Sequence, residues 1–306
     1  MSTYPILIIG AGMAGIACAR ALTDEGHAPL VLDKGRGIGG RLATRRTSDG
    51  WHFDHGAQYV RAKTAPFQAV LETIATAWLD AAPGACVGTP GMSGLAKSLA
   101  HNIDIRQNTE VTGITQQDGL WHLSTSGDDY AAETLILTAP QPQTLNLIGP
   151  NHALSQAVRT AQMVPNLTLM LGFANATPDP GFVTRRDPDD PIAWLSRNSA
   201  KPVRPGMEAW VAQASLAFSQ EHLELDKDAI ANLMLPLACH RLGIDPAHVA
   251  YASAHRWRYA TVATTVGQPF LNNGTLFLGG DWCLGAKVEH AWTSGTAIAQ
   301  AILDTP

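Results

Sequence analysis

The chain has 306 residues, of which 45% are hydrophobic and 15% are charged, and its formal net charge is -5 at pH 7. This composition predicts a soluble globular protein that is long enough for two structural domains, or for one domain with a large insertion. The negative net charge gives no electrostatic reason to bind nucleic acid or an acidic lipid surface, so neither is an expected partner.

Cysteine usage and the N-terminal sequence bear on cellular location. The four cysteines are scattered along the chain without a C-x-x-C pair: Cys18, Cys86, Cys239 and Cys283. This pattern predicts neither a disulfide framework nor a metal site. The N-terminal residues lack the basic leader of a secretory signal, and no stretch approaches about 20 uninterrupted apolar residues. We therefore expect a cytoplasmic protein without a bound metal or a membrane span.

Residues 5–32 predict a strand, a helix and a second strand. Residues 5–9 form a short apolar run rich in isoleucine, residues 13–25 place small and apolar side chains at helical spacing, and Gly26 supplies a helix stop. Residues 30–32 are again apolar. A βαβ unit of this kind places its two strands in one parallel sheet.

The same sheet is expected to continue along the chain. Residues 103–106, 110–115, 120–125 and 134–138 predict strands, with a helix at 95–100 and a hairpin turn at Asp118-Gly119. From about residue 151 the pattern changes: 167–173 and 210–214 predict strands, and 229–242 predict an amphipathic helix. A strand at 275–278 and an alanine-rich helix at 288–303 complete the chain.

Residues 10–15 fit the pattern G-x-G-x-x-G and lie between the first predicted strand and helix. Gly10 allows a tight turn, Gly12 leaves room for a pyrophosphate beside the backbone, and Gly15 lets the helix and strand pack closely. The first helical turn, which includes Met13 and Ala14, offers free N–H groups to the phosphates. This segment therefore predicts a dinucleotide-binding loop.

Asp33 ends the second predicted strand, where its carboxylate can accept hydrogen bonds from adenosine ribose hydroxyls. Lys34 follows, and residues 35–41 then contain four glycines and Arg41. Such glycine density allows backbone amides to form a second anion-binding concavity opposite the first, to which Arg41 adds its charge. For each segment the alternative is a glycine-rich loop that binds nothing.

Four N-terminal segments resemble the FAD fingerprint of the flavin-containing amine oxidase superfamily. They are residues 10–15, Asp33-Lys34, Gly39-Gly40-Arg41 with Thr44 and Arg45, and Asp54-His55-Gly56-Ala57-Gln58-Tyr59. Near the other end, residues 278–282, 288–289, 291–292 and 294–295 are similar to the closing motif of that superfamily. Within the superfamily the chain resembles the renalase branch, especially its short bacterial members.

The resemblance implies several contacts with FAD. The segment that ends in Gln58 and Tyr59 runs beside the flavin ring, Arg41 contacts the cofactor, and Asp281 binds the ribityl chain. It also implies a role near the cofactor for Glu289. A helix N-cap is the alternative account of Asp281.

The strand that contains Val111 is like one whose backbone meets the adenine in related flavoproteins, although a core valine is an equally good account. Gly280 allows the backbone to approach a ligand closely. Residues 258–273 contain no cysteine for covalent attachment, so we expect non-covalent FAD. The predicted cofactor-binding residues are Gly10, Gly12, Met13, Ala14, Gly15, Asp33, Lys34, Gly39, Gly40, Arg41, Gln58, Tyr59, Val111, Gly280, Asp281 and Glu289.

These observations predict an α/β fold, with a Rossmann-type FAD-binding domain and an inserted mixed-sheet substrate domain. The FAD-binding domain is assigned residues 1–60, 91–150 and 272–306. The substrate domain is assigned residues 61–90 and 151–271.

Two segments of the middle region combine aromatic and cationic side chains, residues 194–198 and 255–259. Aromatic walls could sandwich a planar ring, and the cations could meet phosphates. Ordinary packing, with arginine stems laid over tryptophans, is the alternative. The predicted catalytic residues are Gln58, Tyr59, Trp194, His255, Trp257 and Tyr259.

The renalase resemblance implies an oxidase for small molecules. It would take hydride from a 2- or 6-dihydro isomer of NAD(P) to flavin N5 and pass electrons to O2, giving NAD(P)+ and H2O2. One alternative is an FAD-dependent amine oxidase that frames the amine between Tyr59 and Tyr259. Another is an NAD-binding dehydrogenase or a non-catalytic nucleotide-binding protein. His290 stands where bacterial members of the branch tend to carry glycine, and Cys283 lies two residues after Asp281. Both side chains could change the shape of the pocket and therefore the substrate.

Overall fold

The computed structural model describes residues 2–204 and 206–305. The chain divides into two compact units. The first unit comprises Met1–Gly40, Ala96–Met163 and Val262–Pro306, and the second comprises Arg41–Leu95 and Val164–Thr261.

The strands are β1 (Ser2–Ile9), β2 (Leu30–Leu32), β3 (Thr44–Arg46), β4 (His52–Asp54), β5 (Thr76–Ala77), β6 (Cys86–Val87), β7 (Asp104–Arg106), β8 (Val111–Gln117), β9 (Leu120–Thr125), β10 (Tyr130–Leu137), β11 (Gln162–Phe173), β12 (Thr184–Arg186), β13 (Trp194–Arg197), β14 (Glu208–Gln213), β15 (Val249–Thr264), β16 (Phe270–Asn273) and β17 (Leu276–Gly279). The helices are α1 (Met13–Asp24), α2 (Ala65–Ile74), α3 (Ser93–Leu99), α4 (Gln141–Ile148), α5 (Ser155–Thr160), α6 (Leu216–Glu221), α7 (Lys227–Leu242) and α8 (Val288–Leu303). Short 3-10 turns lie at Gly40–Leu42, Asn198–Ala200, Pro246–His248 and Asp281–Cys283.

The first unit contains the predicted Rossmann-type sheet. Its parallel strands lie in the order β17, β10, β1, β2, β7. β16 adds an antiparallel edge strand beside β17, and the β8–β9 hairpin pairs onto the first part of β10. The predicted α/β class is confirmed.

Both faces of this sheet are buried, which explains its continuous apolar strands. Leu7 and Ile9 of β1 point into one core cluster. Ile8, on the opposite face, packs in a second cluster with Ile16 of α1 and Ile298 of α8. The strand period of two residues produces this division.

Turn chemistry sets several element boundaries. Asp118 and Gly119 have φ angles of 50° and 82° and connect the paired residues Gln117 and Leu120. Positive φ at both central residues is what a two-residue hairpin turn requires. The hairpin prediction is therefore confirmed.

The second unit contains a sheet in the order β12, β13, β14, β11, β15. One face packs against α7, where Trp210 meets Met234 in a buried cluster. The other face packs Phe53 against Met170 and Val211. The β12–β13, β13–β14 and β11–β14 pairings are antiparallel. The connections from β12 to β13 and from β13 to β14 are too short for a parallel crossover, which needs about a dozen residues or more.

Helix α7 begins at Lys227, two residues before the predicted start. Asp226 caps it, because its side chain accepts a hydrogen bond from the Ala229 N–H at 2.8 Å. Gly243, in the left-handed region at φ 67°, ends it. Within residues 2–204 and 206–305, no helix combines the length and apolar character needed to cross a bilayer.

The two units divide the chain differently from the predicted domain ranges. Residues 41–60 and 91–95, which were assigned to the FAD-binding domain, fall in the second compact unit, where Trp51 and Phe53 are buried in one cluster. Conversely, residues 151–163 and 262–271 belong to the first unit, whose core includes Val158 and Leu271. The apolar pattern of these segments predicts that they are buried, but it does not indicate in which of the two hydrophobic cores they pack.

Candidate functional site

The first glycine loop, which joins β1 to α1, is tightly packed against the protein. Gly10 has a φ of +108°, and a Cβ there would lie 2.8 Å from Thr138 Oγ1. A Cβ on Gly15 would overlap the Gly10 carbonyl oxygen. Both positions therefore need glycine for the loop to fold.

Gly12 is different, because the protein itself places no demand for glycine there. Its φ of -77° suits any residue, and a Cβ would meet no protein atom within 4 Å. It precedes α1 without a side-chain cap, and the first turn of α1 carries no acid. A pyrophosphate held against the free N–H groups would occupy this open space. The loop therefore fits a dinucleotide phosphate.

Asp33 connects the two glycine segments. Its Oδ2 accepts a hydrogen bond from the Ala11 N–H at 2.6 Å, and its Oδ1 accepts one from the Gly35 N–H at 2.6 Å. Each carboxylate oxygen keeps a further lone pair for a ribose hydroxyl. Lys34 is exposed, and its Nζ lies 3.7 Å from Glu110 Oε1 in a surface ion pair.

The second glycine segment lies directly beside the first rather than opposite it. Gly39 N–H donates to the Ala11 carbonyl oxygen at 2.8 Å, and Gly39 forms a parallel bridge with Gly12. A Cβ on Gly40 would lie 3.4 Å from Gly12 Cα. Two predicted concavities are thus one continuous glycine-lined edge. Arg41 lies in the second unit, where its Nη1 donates to the Ala260 carbonyl oxygen at 3.0 Å.

Strand register brings the C-terminal motif to the same sheet edge. Ile9 of β1 pairs with Leu137 of β10, which pairs with Leu278 of β17. The residues after these strands therefore emerge side by side. Since adjacent strands lie about 4.8 Å apart, the segment at Asp281 is roughly 10 Å from the first glycine loop.

Gly280 and Asp281 form a sharp, buried turn. Gly280 has a φ of 147°, and its N–H donates to Ser294 Oγ at 2.8 Å. Asp281 is 6% exposed and opens a 3-10 turn, while Lys287 occupies the N-cap of α8. Asp281 is therefore not the cap of that helix. Glu289, in the first turn of α8, is 3% exposed.

The remaining predicted residues of this unit are buried. Met13 and Ala14 lie in the first turn of α1, and a Cβ on Gly295 of α8 would overlap the Ala14 carbonyl oxygen. The two helices therefore pack at very close range. Val111 belongs to the core cluster, so its side chain has a packing role, and a backbone contact with adenine stays a prediction.

In the second unit, four of the predicted catalytic residues share one face of the sheet. Trp194 pairs with Gln213, which pairs with Thr168, so all three lie on the face that also carries Met170. On β15, Tyr251 packs on this face, and alternate residues, namely His255, Trp257 and Tyr259, follow it.

A cluster of aromatic rings on this face includes His55, to which the sequence motif assigned no role. The His55 ring centroid lies 4.7 Å from His255 and 5.3 Å from Trp257, and His255 lies 4.4 Å from Trp257. Trp257 Nε1 donates to the His55 carbonyl oxygen at 2.8 Å. Burial lowers the pKa of His55 to about 4 and that of His255 to about 3. Both imidazoles are therefore neutral near pH 7, and the Nδ1 atom of each is buried without a protein partner.

These two histidines should make the protein acid-labile. In the unfolded chain they bind protons below about pH 6.5, whereas the folded protein binds them only near pH 4 and pH 3. The contribution of the two neutral imidazoles to the free energy of unfolding should therefore have its full value above pH 6.5. It should fall as the pH drops toward 4, by at most about 1.4 kcal/mol per pH unit for each imidazole. His255 is partly exposed, so its contribution to this loss of stability is smaller.

Urea midpoints measured from pH 7.5 to 4.5 should fall less steeply for His255→Gln than for wild type. Equal slopes would contradict the assignment, and His248→Gln, at an exposed histidine, is the control.

Gln58 is held by the protein rather than directed at solvent. Its Nε2 donates to the Asp54 carbonyl oxygen and to the Gly56 carbonyl oxygen, the latter at 3.0 Å. Its Oε1 accepts from Lys201 Nζ at 3.2 Å. The side-chain amide is therefore fixed in one orientation, since the nitrogen end must face the two carbonyls.

The Asp54 carboxylate is the centre of a buried ionic cluster that sequence reasoning missed. Its Oδ2 accepts from Lys201 Nζ at 3.2 Å and from Arg204 Nη2 at 2.7 Å, and its Oδ1 accepts from Thr44 Oγ1 and the Met92 N–H at 2.7 and 2.8 Å. Burial opposes ionisation of Asp54, but the two cations and the Met92 N–H lower its pKa to about 2. Burial lowers the pKa of Lys201 to about 8.

Tyr59 packs against Trp194, with ring centroids 5.9 Å apart. The Arg61 guanidinium lies 5.6 Å from the Tyr59 ring centroid, within cation–π range. Two predicted catalytic residues, one on β13 and one after β4, are thereby brought together.

Comparison with known proteins places this architecture in a family. Residues 8–74 match the family described as NAD(P)-binding Rossmann-like domain, and residues 76–303 match the family described as flavin containing amine oxidoreductase. Renalase from Mus musculus is 26% identical over 298 residues, covering 85% of this chain and 86% of that protein. An L-amino-acid oxidase from Siganus canaliculatus is 34% identical over 70 residues, covering 22% of this chain and 13% of that protein.

Solved structures show the same fold at low sequence identity. Putrescine oxidase bound to putrescine aligns with a TM-score of 0.78 at 13% identity, over 98% of this chain and 99% of that one. Cyclohexylamine oxidase from Brevibacterium oxydans IH-35A aligns with a TM-score of 0.75 at 13% identity, over 98% of both chains. Because the family match at residues 76–303 spans most of the sequence, the chain belongs to the flavin-containing amine oxidoreductases, a family of flavin-dependent oxidoreductases.

Proposed function

We propose that this chain is an oxidase with non-covalent FAD that acts on a 2- or 6-dihydro isomer of NAD(P) and forms NAD(P)+ and H2O2. The main observation behind the proposal is that Gly12, Asp33 and Asp281 all lie at the same glycine-lined edge of the sheet in the first unit. The match to renalase over 85% of the chain supports the substrate class.

The choice of FAD follows from how far this edge extends. A pyrophosphate at Gly12 and a ribose at Asp33 would suit either NAD or FAD. Asp281, about two strands away, offers a further acceptor for a polyol such as the ribityl chain. An acid at residue 33 also disfavours a 2′-phosphate, which NADP would place there.

Non-covalent binding is supported by the state of the cysteines. Cys283, two residues after Asp281, is fully buried, and burial raises the pKa of its thiol to about 12. Because the thiolate is the nucleophilic form, this side chain is unsuited to attach a cofactor.

The chemistry requires little proton transfer. Bound FAD would supply the hydride acceptor at N5 and the route for electrons to O2, and one proton taken up from solvent would complete H2O2. The nicotinamide product is aromatic and no proton has to leave the substrate, so the protein has to orient the reactants and exclude water. Neutral His55 and His255 beside Trp257 suit an uncharged planar ring, since neither imidazole is a ready base or cation near pH 7.

Amine oxidation is the second candidate, favoured by the fold shared with putrescine and cyclohexylamine oxidases. An amine oxidase must bind a deprotonated amine, which Tyr59 and Tyr259 would have to frame. The Arg61 cation over the Tyr59 ring makes that position less suitable for an ammonium group that has yet to lose its proton.

Stopped-flow spectroscopy separates the candidates. The visible flavin band should bleach rapidly on mixing with 2- or 6-dihydroNAD(P) and negligibly with benzylamine or polyamines, and H2O2 should appear on reoxidation in air. The reverse substrate pattern would replace the proposal with amine oxidation. A colourless protein that cannot be reconstituted with FAD would support a nucleotide-binding protein without flavin.

A further inference from the structure

The cluster around Asp54 contains more positive charge than its single carboxylate can balance. Lys201 and Arg204 both contact Asp54 Oδ2, and the side chains of all three are at most 1% exposed. Arg204 alone satisfies this oxygen through two hydrogen bonds, from Nη2 at 2.7 Å and from Nε at 3.3 Å. Lys201 is therefore a second, surplus cation in a dry site.

A surplus buried cation is a poor contributor to stability. Desolvation of an ammonium is unfavourable, and apolar replacements of buried ion pairs are often neutral or stabilising. The Trp78 ring, whose centroid lies 5.4 Å from Lys201 Nζ, offsets only part of that cost. The presence of Lys201 thus calls for a role other than holding the fold together.

Backbone strain next to Lys201 also indicates a role beyond stabilising the fold. Val203, between the two cations, has a φ of 54°, in the left-handed region that β-branched residues rarely adopt. Arg204 Nη1 donates to the Pro202 and Gly88 carbonyl oxygens, both at 3.0 Å, which holds this turn closed. Such strain persists only where surrounding contacts enforce it, and it is concentrated at functional positions. Here it allows Lys201 and Arg204, three residues apart, to converge on one carboxylate.

The contact that Lys201 alone makes is with Gln58. Its Nζ donates to Gln58 Oε1 at 3.2 Å, and the Gln58 amide then holds the carbonyl oxygens of Asp54 and Gly56. We propose that Lys201 is a positioning residue that acts through Gln58 to set the conformation of the segment 56–59. This inference rests on the proposed function, and on the family resemblance, which implies that the segment ending in Gln58 and Tyr59 runs beside the flavin ring.

The test is a double-mutant cycle on flavin affinity, with Lys201→Met and Gln58→Met singly and together. Dissociation constants for FAD are measured by fluorescence titration of the apoproteins, and their unfolding midpoints by circular dichroism. Lys201→Met should leave the protein folded, weaken FAD binding about tenfold and alter the shape of the visible flavin band, as expected for loss of one hydrogen bond to a charged group. The double variant should bind FAD about as weakly as Gln58→Met alone, because Lys201 can act only through Gln58 Oε1, which that substitution already removes. Lys97→Met, at an exposed lysine, is the control.

Wild-type FAD affinity and spectrum in Lys201→Met, or additive effects in the double variant, would overturn the proposal. Failure of Lys201→Met to fold would also overturn it, by assigning Lys201 a structural role. The readout does not depend on the substrate, so the Lys201 proposal can be judged even if dihydronicotinamides are not oxidised. Wild-type protein that binds no FAD would end the proposed function and this inference together.

Discussion

Gly12→Val is expected to weaken flavin binding at least about 100-fold while leaving the apoprotein folded. The valine side chain would fill the space beside the first glycine loop, where a Cβ meets no protein atom within 4 Å. Phosphate oxygens would then lose their hydrogen bonds to the backbone N–H groups. Two such bonds to a charged group are worth about 3 kcal/mol or more, so FAD affinity should fall at least about 100-fold.

The same substitution should have little effect on folding. The φ of -77° at residue 12 suits valine. Loss of glycine before a helix costs up to about 1 kcal/mol, and the narrower unfolded ensemble offsets about 0.4–1 kcal/mol of that. The measurements are the flavin absorbance of the purified protein, an FAD titration, and thermal unfolding of the apoprotein. A Gly12→Val protein with wild-type flavin content would show that the loop does not hold the phosphates.

Gly15→Val is the matched comparison, because its effect should come from the protein itself. A Cβ on Gly15 would overlap the Gly10 carbonyl oxygen and lie 2.7 Å from Thr138 Oγ1. Overpacking of this kind costs about 1–3 kcal/mol or more. The apoprotein should therefore lose stability as well as flavin, which separates the two glycines by mechanism.

Asp54→Ala is expected to lower the free energy of unfolding by about 3–5 kcal/mol, the range found when one partner of a buried ion pair is removed. The substitution leaves two buried cations without their carboxylate and leaves the Thr44 hydroxyl and the Met92 N–H without an acceptor. Since whole domains are stable by about 5–15 kcal/mol, this is a large fraction of the total. Urea denaturation monitored by circular dichroism gives the value.

Combining Asp54→Ala with Lys201→Met should restore part of the lost stability, because one of the two unpaired cations is then removed. Glu224→Ala is the surface comparison. Glu224 accepts two hydrogen bonds from Arg258, at 2.7 and 2.9 Å, but its side chain is 73% exposed, so little change is expected. A loss for Asp54→Ala as small as that of Glu224→Ala would contradict the view that the Asp54 cluster is electrostatically demanding.

Local patterns in the sequence were sufficient for the first unit. Apolar runs predicted β1 and β2, helical spacing predicted α1, and Asp118-Gly119 predicted the hairpin between β8 and β9. These predictions hold because each depends on neighbours a few residues apart: strand alternation, helix period and turn φ angles. The glycine roles at Gly10 and Gly15 were also accessible, since a strand–turn–helix junction dictates them.

The second unit was much less accessible from sequence. In the Asp54 cluster, Lys201 lies 147 positions after Asp54 in the sequence, and Arg204 lies 150 positions after it. Neither cation belongs to a recognisable sequence motif. His55 was visible inside the Asp54–Tyr59 segment, but only the fold brings β15 to it so that His255 and Trp257 surround it.

The order of residues along the chain was enough to predict a Rossmann-type unit, a dinucleotide loop and the family, because glycine requirements and apolar periodicity are properties of short segments. Tertiary structure alone decided that residues 41–60 pack in the second unit and that Gln58 is held by Lys201. The physical reason is that burial and charge pairing depend on which distant segments share a core. Those neighbours are determined by tertiary folding and not by the local sequence.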